Sequence, residues 1–307
     1  MSASYWEERF GGWSIGPGTS EEDRIENAIT AIRNAMEADV KLSAITKVYV
    51  QGSYRNRVNV SQESDVDIAV LYTGGGFYGE YPEGYSNTSF GFADHLYSYA
   101  QFKEDVANAL INRFGTSGVH RGNKAFDIHP NSYRVDADVV PVFEHRRFKR
   151  DGSYYSAVQL FSGTGEKIVN WPERIMDGWP PQHYENAVAK NEATRRTYKR
   201  VVRILKKLRV VMGEAGYQSA KDIPGFMIEC MLYNVPNDRF LCPTWDEVVT
   251  RVVRNIWTNT KTSEKCNDWV EVSGWKWLFR EQPDAKRVAA FKFIDEAWDY
   301  IGLREYD

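Results

Sequence analysis

The chain has 307 residues, enough for two lobes or one large domain. Its apolar fraction of 42% and charged fraction of 26% are ordinary for a soluble globular protein. The formal net charge of −3 disfavours a stable nucleic-acid partner, because a non-specific grip on DNA or RNA comes from neutralising phosphates. It leaves room for a small nucleotide, whose charge metal ions neutralise locally.

Three cysteines, Cys230, Cys242 and Cys266, fit no CxxC metal pattern and read as reduced thiols. Met1 to Phe10 carries Glu7, Glu8 and Arg9 and has no apolar signal core. No run of about 18 apolar residues is present to span a bilayer. The expectation is a soluble, cytoplasmic protein with no membrane partner.

In chain order, Glu21 to Leu42 reads as a helix. Ile25, Ala28, Ile29, Ile32 and Met36 fall at helical spacing, and Thr19 or Ser20 can cap its start. Ile45 to Gln51 is a short β-rich run ending at Gly52-Ser53. A second strand is expected from Ser64 to Tyr72, broken by Gly74-Gly75-Gly76. Residues 74–93, rich in Gly, Tyr and Phe, read as a solvent loop, with a flap over a substrate as the functional alternative. Ala93 to Phe114 reads as helical. Ser132 to Phe143 alternates as a strand, with Val135, Ala137 and Val139 on one face and Asp136, Asp138 and Val140 on the other.

Beyond about residue 150 the character changes. Tyr154 to Pro181 is loop-rich, and Tyr184 to Met212 is one long helix or two in series. Ile223 to Tyr233, Trp245 to Thr258 and Asp284 to Tyr300 follow as helices. The expected organisation is an α/β (α+β) lobe over residues 1–150, including the first helix. A helical lobe over residues 151–307 would close a nucleotide cleft.

The chemistry concentrates between residues 51 and 67. Gly52 lets backbone approach a ligand closely, and its N–H groups and the Ser53 hydroxyl can donate to phosphate oxygens. Asp65 and Asp67 point to one face of a strand. Two like charges that close repel, which a fold tolerates when a cation sits between them. Hard divalent ions take carboxylate and phosphate oxygens, so the pair suits a metal clamp. An Asp-x-Asp alone is common in surface turns, but here it opens the apolar run Val66, Ile68, Ala69, Val70, Leu71. Asp138, far along the chain, completes a triad if its strand lies beside the first, and Asp136 is a rival for that place. Three carboxylates can hold two metals, one at an attacking hydroxyl and one at the triphosphate.

The pattern Gly-Ser, eleven residues, Asp-x-Asp and a distant third Asp resembles the polymerase-β-like nucleotidyltransferases. Gln51 to Leu71, and Gly122 to Pro141 with its Asp138-Val-Val-Pro141 ending, are similar to the bacterial cGAS/DncV-like nucleotidyltransferases, nearest the CdnE-like branch. The resemblance implies a bilobal core with a mixed sheet and a helical C-terminal lobe. It implies an enzyme that joins nucleoside triphosphates (ATP, GTP, UTP or CTP) into a cyclic di- or trinucleotide signal in anti-phage defence, read by a downstream effector. It implies two Mg2+ ions, with Mn2+ as the substitute, on Asp65, Asp67 and Asp138. Asp138 is preferred over Asp136 because the family acid directly precedes the Val-x-Pro ending. Gln51, Gly52 and Ser53 are implied to bind the nucleotide.

The resemblance also implies a lysine from the first long helix of the C-terminal lobe that reaches the triphosphate, with Lys206 and Lys207 as candidates and Lys206 favoured by helical geometry. Lys206 lies at the edge of the apolar stripe Tyr198, Val201, Val202, Leu205, Leu208 and Met212, whereas Lys207 lies nearly opposite it. Most of Arg195, Arg196, Lys199, Arg200, Arg203 and Lys207 reads as a solvated face. Asn131, Ser132 and Tyr133 are candidates for base contact, and Arg55 and Arg57 for an acceptor phosphate, each against an equally good structural role. His120, His129 and His183 read as surface or core residues. The competing functions are transfer of a nucleotide to RNA, protein or an antibiotic, and a silent nucleotide-sensing module.

Overall fold

The structure, a computed structural model, describes residues 3–60, 65–93, 95–170 and 183–303. In chain order the elements begin with α1 (Ala3–Trp13), α2 (Thr19–Glu37), α3 (Val40–Ile45), β1 (Thr46–Val50), α4 (Gly52–Arg55), β2 (Val66–Tyr72) and β3 (Phe77–Glu80). Next come α5 (Tyr99–Phe114), β4 (Val119–Arg121), β5 (Phe126–Ile128), β6 (Ala137–Phe148), β7 (Tyr154–Phe161) and β8 (Lys167–Asn170). The helices α6 (His183–Ala193), α7 (Tyr198–Glu214), α8 (Gln218–Asp222), α9 (Gly225–Asn234), α10 (Trp245–Thr260) and α11 (Asp284–Tyr300) complete the chain.

The chain forms two compact units. The described residues of 18–55 and 65–170 build one around a sheet. Residues 3–17, 56–60 and 183–303 build the other, which is helical.

In the sheet unit the strand order is β1-β2-β6-β5-β4, and β6 is the organising strand. Its first half lies parallel to β2 and antiparallel to β5. Its second half lies parallel to β3 and antiparallel to β7, which pairs onward with β8. Pro141 stands where the antiparallel partner changes, after Val139 on β5 and before Phe143 on β7. Proline has no N–H for a ladder, so it fits this exchange point. Ile25, Ile29, Ile32 and Met36 of α2 and Phe102, Val106 and Leu110 of α5 form one core with Ile68, Val70 and Val139 of the sheet.

In the helical unit, Val201, Val202, Leu205 and Leu208 of α7 pack with α9, α10 and α11. Trp6 and Phe10 of α1 join that core, as does Val58 from the segment 56–60. Arg203 holds the segment by donating to the carbonyl oxygens of Arg57 at 2.6 Å and of Ser14 at 2.8 Å.

Several boundaries differ from the sequence reading, each for a local reason. The helix expected over Glu21 to Leu42 breaks before Asp39, whose carboxylate caps α3 by accepting from the N–H groups of Lys41 and Leu42, both at 2.9 Å. Its start is capped by Gly18 without a side-chain bond, so Thr19 and Ser20 lie inside α2. The helix expected from Ala93 begins at Tyr99, where Ser98 and Gln101 form a capping box. The stretch 74–93 is no free loop. It contains β3, and Phe90 stacks on Phe148 of β6 with ring centroids 4.9 Å apart. The stretch from Tyr154 supplies β7 and β8, so the sheet continues past residue 150, and residues 171–182 lie outside the described residues. Arg195 and Arg196 take left-handed backbone, with φ of 51° and 64°, and divide Tyr184 to Met212 into α6 and α7.

Candidate active site

The site is built where β1 ends against β2. Val50 lies opposite Ile68, and the Gln51 N–H then donates to the Asp67 carbonyl at 2.9 Å, closing the pairing. Gly52 follows with φ of +68°, a conformation that disfavours any side chain. A Cβ there would stand 1.9 Å from Asp67 Oδ2 and 2.7 Å from its Cγ. Only glycine fits, and its absent side chain is what lets the Asp67 carboxylate lie directly against the turn. Ser53 follows, half-buried, within α4.

The acids meet through register. Asp67 of β2 is opposite Asp138 of β6, and Asp127 of β5 is opposite Asp138 on the other side. Opposed residues share a face, so Asp67, Asp138 and Asp127 form a row across three adjacent strands. Asp65 and Asp136 stand just before β2 and β6, two residues ahead of Asp67 and Asp138, and the charge of Asp136 reaches Asp65. The Val66 N–H donates to the Asp136 carbonyl at 3.1 Å and carries the pairing to that level.

This charge is not balanced within the row. Burial, then the neighbouring carboxylates of Asp67, Asp127 and Asp65, and a hydrogen bond with the Asp127 side chain push Asp138 up to about 7. Asp65 lies on the exposed lip. Partial desolvation, with the charges of Asp136 and Asp127, still raises its carboxyl above the ordinary range. A cation would relieve both. The donors are all hard carboxylate oxygens, as Mg2+ or Mn2+ requires. Among the described residues no group of three or more ligating side chains stands close enough to hold an ion unaided.

The triad expected from sequence, Asp65, Asp67 and Asp138, is thus gathered beside Gln51, Gly52 and Ser53 in one unit. Asp136, the rival residue, is near enough to Asp65 for its charge to act on that carboxyl. Asp127 was missed. The tripeptide Phe126-Asp-Ile128 marks an acid inside an apolar strand, but only the β5–β6 register reveals what it faces.

Lys206 belongs to the helical unit and is buried. The solvated reading of its helix holds for Arg195, Arg196 and Arg200, which are exposed. It fails for Lys199, which is buried, and for Arg203, whose guanidinium serves two carbonyls. Asn131 builds its own loop, its side-chain oxygen accepting from the N–H groups of Tyr133 at 2.9 Å and Arg134 at 3.0 Å. Arg55, Arg57, Ser132 and Tyr133 are exposed. His120 and His129 lie at the surface, and His183 is buried. Among the described residues no helix is long and apolar enough to cross a membrane. All three cysteines are unbridged.

Comparison with known proteins decides the family. The family described as the cGAS/DncV-like nucleotidyltransferase C-terminal helical domain matches residues 185–302. The cyclic dipyrimidine nucleotide synthase CdnE of Cecembia lonarensis is 38% identical over 280 residues, 90% of this chain and 92% of that protein. The chain belongs to the cGAS/DncV-like nucleotidyltransferase family. A second such synthase, CdnE of Legionella pneumophila, is 36% identical over 301 residues, covering 96% of this nucleotidyltransferase and 98% of the relative. The structure of Elizabethkingia meningoseptica CdnE cyclic dinucleotide synthase with GTP and Apcpp is similar with a TM-score of 0.77 and 32% identity. It covers 96% of this chain and 98% of that one. The polymerase-β-like nucleotidyltransferase fold expected from the motifs is the fold observed.

Proposed function

We propose that this nucleotidyltransferase is a Mg2+-dependent synthase that joins nucleoside triphosphates into a cyclic di- or trinucleotide signal. The observation that carries the proposal is the row Asp67–Asp138 set against the Gly52 turn. The relatives' names as cyclic nucleotide synthases support ring closure.

Gln51, Gly52 and Ser53 hold the triphosphate of the donor nucleotide, through backbone N–H groups and the Ser53 hydroxyl. Asp65, Asp67 and Asp138 would hold the two metal ions, with Mn2+ able to replace Mg2+. When bound, the ions supply neutralisation of phosphate charge and acidify the attacking hydroxyl. Asp138 takes the proton of the acceptor ribose hydroxyl. The ribose oxygen bonds to the α-phosphorus in line, the bond from that phosphorus to the bridging oxygen breaks, and pyrophosphate leaves. Positioning and charge stabilisation supply most of the rate. A second transfer of the same kind, from the free hydroxyl of the linear product, closes the ring.

The test is the protein with all four nucleoside triphosphates and Mg2+, followed by phosphatase and mass spectrometry. A phosphatase-resistant cyclic product is expected, and its mass reads the bases joined. Asp67→Asn should lower its yield at least about 100-fold. A product formed only when RNA, a protein or an antibiotic is added as acceptor would overturn the reading. We place the enzyme in the cytoplasm, acting in anti-phage defence through an effector that recognises the cyclic product. Cells carrying the system with Asp67→Asn should therefore lose phage protection in a plaque assay.

A further inference from the structure

Glu229 is one of the least exposed charged groups described in the chain, with 2% of its surface accessible. An isolated buried carboxylate is expensive, so such groups are kept only where partners surround them. Glu229 Oε1 lies 3.0 Å from His183 Nε2 of α6, and the Tyr198 hydroxyl donates to the Glu229 backbone carbonyl at 3.3 Å. The positive charges of Lys206 and Lys199 also act on it, and with His183 they hold its carboxyl below the ordinary range against the effect of burial.

The two lysines are seven residues apart, two turns of α7, and so lie on one stripe of that helix. Both are buried. Lys206 runs its alkyl arm beneath the first residue of α9. A Cβ on Gly225 would stand 3.4 Å from Lys206 Cε and 3.9 Å from its Nζ. Glu229 is four residues on from Gly225, on the same face of α9 one turn deeper. The edge of α9 thus offers Lys206 an open position for its arm and, next along, a buried carboxylate.

We propose that Glu229 is a positioning residue. It fixes the ammonium of Lys206 for the triphosphate of the incoming nucleotide, and His183 locks Glu229 in place from the opposite helix. The inference rests on the reading of Lys206 as a triphosphate contact. A lysine has four rotatable side-chain bonds, and a charge partner that restricts them lowers the ordering cost of binding.

The experiment is a double-mutant cycle on the full chain, read as KM and kcat for each of the four nucleoside triphosphates, with a melting curve for each variant. Lys206→Ala should raise KM about 10- to 100-fold. Glu229→Gln should raise it about 10-fold with kcat within about 2-fold, and should add nothing in the Lys206→Ala background. A purely structural Glu229 would instead lower the melting temperature, with effects on KM that persist when Lys206 is absent. If Glu229→Gln does not fold, Glu229→Asp keeps the charge one carbon short and should show the same KM rise and the same loss of effect without Lys206. An unchanged KM in Glu229→Gln or Glu229→Asp beside a raised KM in Lys206→Ala overturns the positioning role alone. So does full additivity. An unchanged KM in Lys206→Ala overturns both the triphosphate contact and the inference built on it, and leaves the carboxylate row untouched.

Discussion

Gly52 and Asp67 constrain each other at atomic range. A methyl group at residue 52 must displace the Asp67 carboxylate and also adopt φ of +68°. Gly52→Ala should therefore cost about 1–3 kcal/mol of stability and lower product formation at least about 100-fold, more than its effect on folding explains. Comparing urea midpoint with turnover separates the two. Asp138 permits a prediction with a definite sign. Its carboxyl is raised from the ordinary 3.8 to about 7, so the folded protein keeps the proton longer than the unfolded chain does. Its contribution to stability is thus present at about pH 4 and declines as pH rises toward 7 in the metal-free protein. Asp138→Asn should remove that decline. The expected outcome is a melting temperature about 1–4 °C higher than wild type at pH 7.5, none higher at pH 4, and no product. Solvent around the half-exposed group tempers the size of the shift but not its direction. Asp136→Asn, by contrast, should keep most activity if Asp138 is the third ligand.

At the scale of elements, register rather than sequence proximity assembles the site. Asp127 and Asp138 are adjacent because β5 and β6 pair antiparallel, and Asp67 joins them because β2 and β6 pair parallel. A slip of one residue in either pair would turn every acid in the moved strand to the opposite face. Residues 56–60 belong to the helical unit, with Val58 fully buried in its core and Arg203 bonded to the Arg57 carbonyl. Val58→Ala should then cost about 1–3 kcal/mol. Because Val58 belongs to the core that α7 and α10 build, hydrogen exchange should show the loss in those helices rather than in β2 and β6.

For the whole molecule, metal and substrate binding should be linked, because Mg2+ usually takes one or two carboxylates and completes its shell with water and substrate phosphate. Mg2+ alone should raise the melting temperature little. Mg2+ with a non-hydrolysable nucleoside triphosphate at about 100 times its Kd should stabilise by about 2.7 kcal/mol, or several degrees. Chelation with EDTA should reverse the shift. A full shift from Mg2+ alone would contradict the idea that substrate phosphates complete the coordination.

The sequence by itself determined the parts whose signal is local. The Gly52-Ser53 turn, the acids embedded in the apolar run of β2, the Val-Val-Pro ending of the third-acid motif and the helices α7, α10 and α11 are all legible from spacing and residue type. Only the tertiary structure decided what depends on partners distant in the chain. Strand β3 is held by its pairing with β6 and by Phe77 against Phe148, ring centroids 5.9 Å apart, so its own glycine- and tyrosine-rich sequence reads as loop. Asp127 gains its meaning from the residue it opposes, and Lys199 is buried with its ammonium 5.1 Å from the Tyr184 ring of α6. Side-chain periodicity reports which face a residue occupies, but the charge environment on that face is fixed by other elements. The Gly52–Asp67 pair shows both sides of this division. Sequence marks each residue as a candidate, and the fold brings them close enough that only glycine can stand beside the acid.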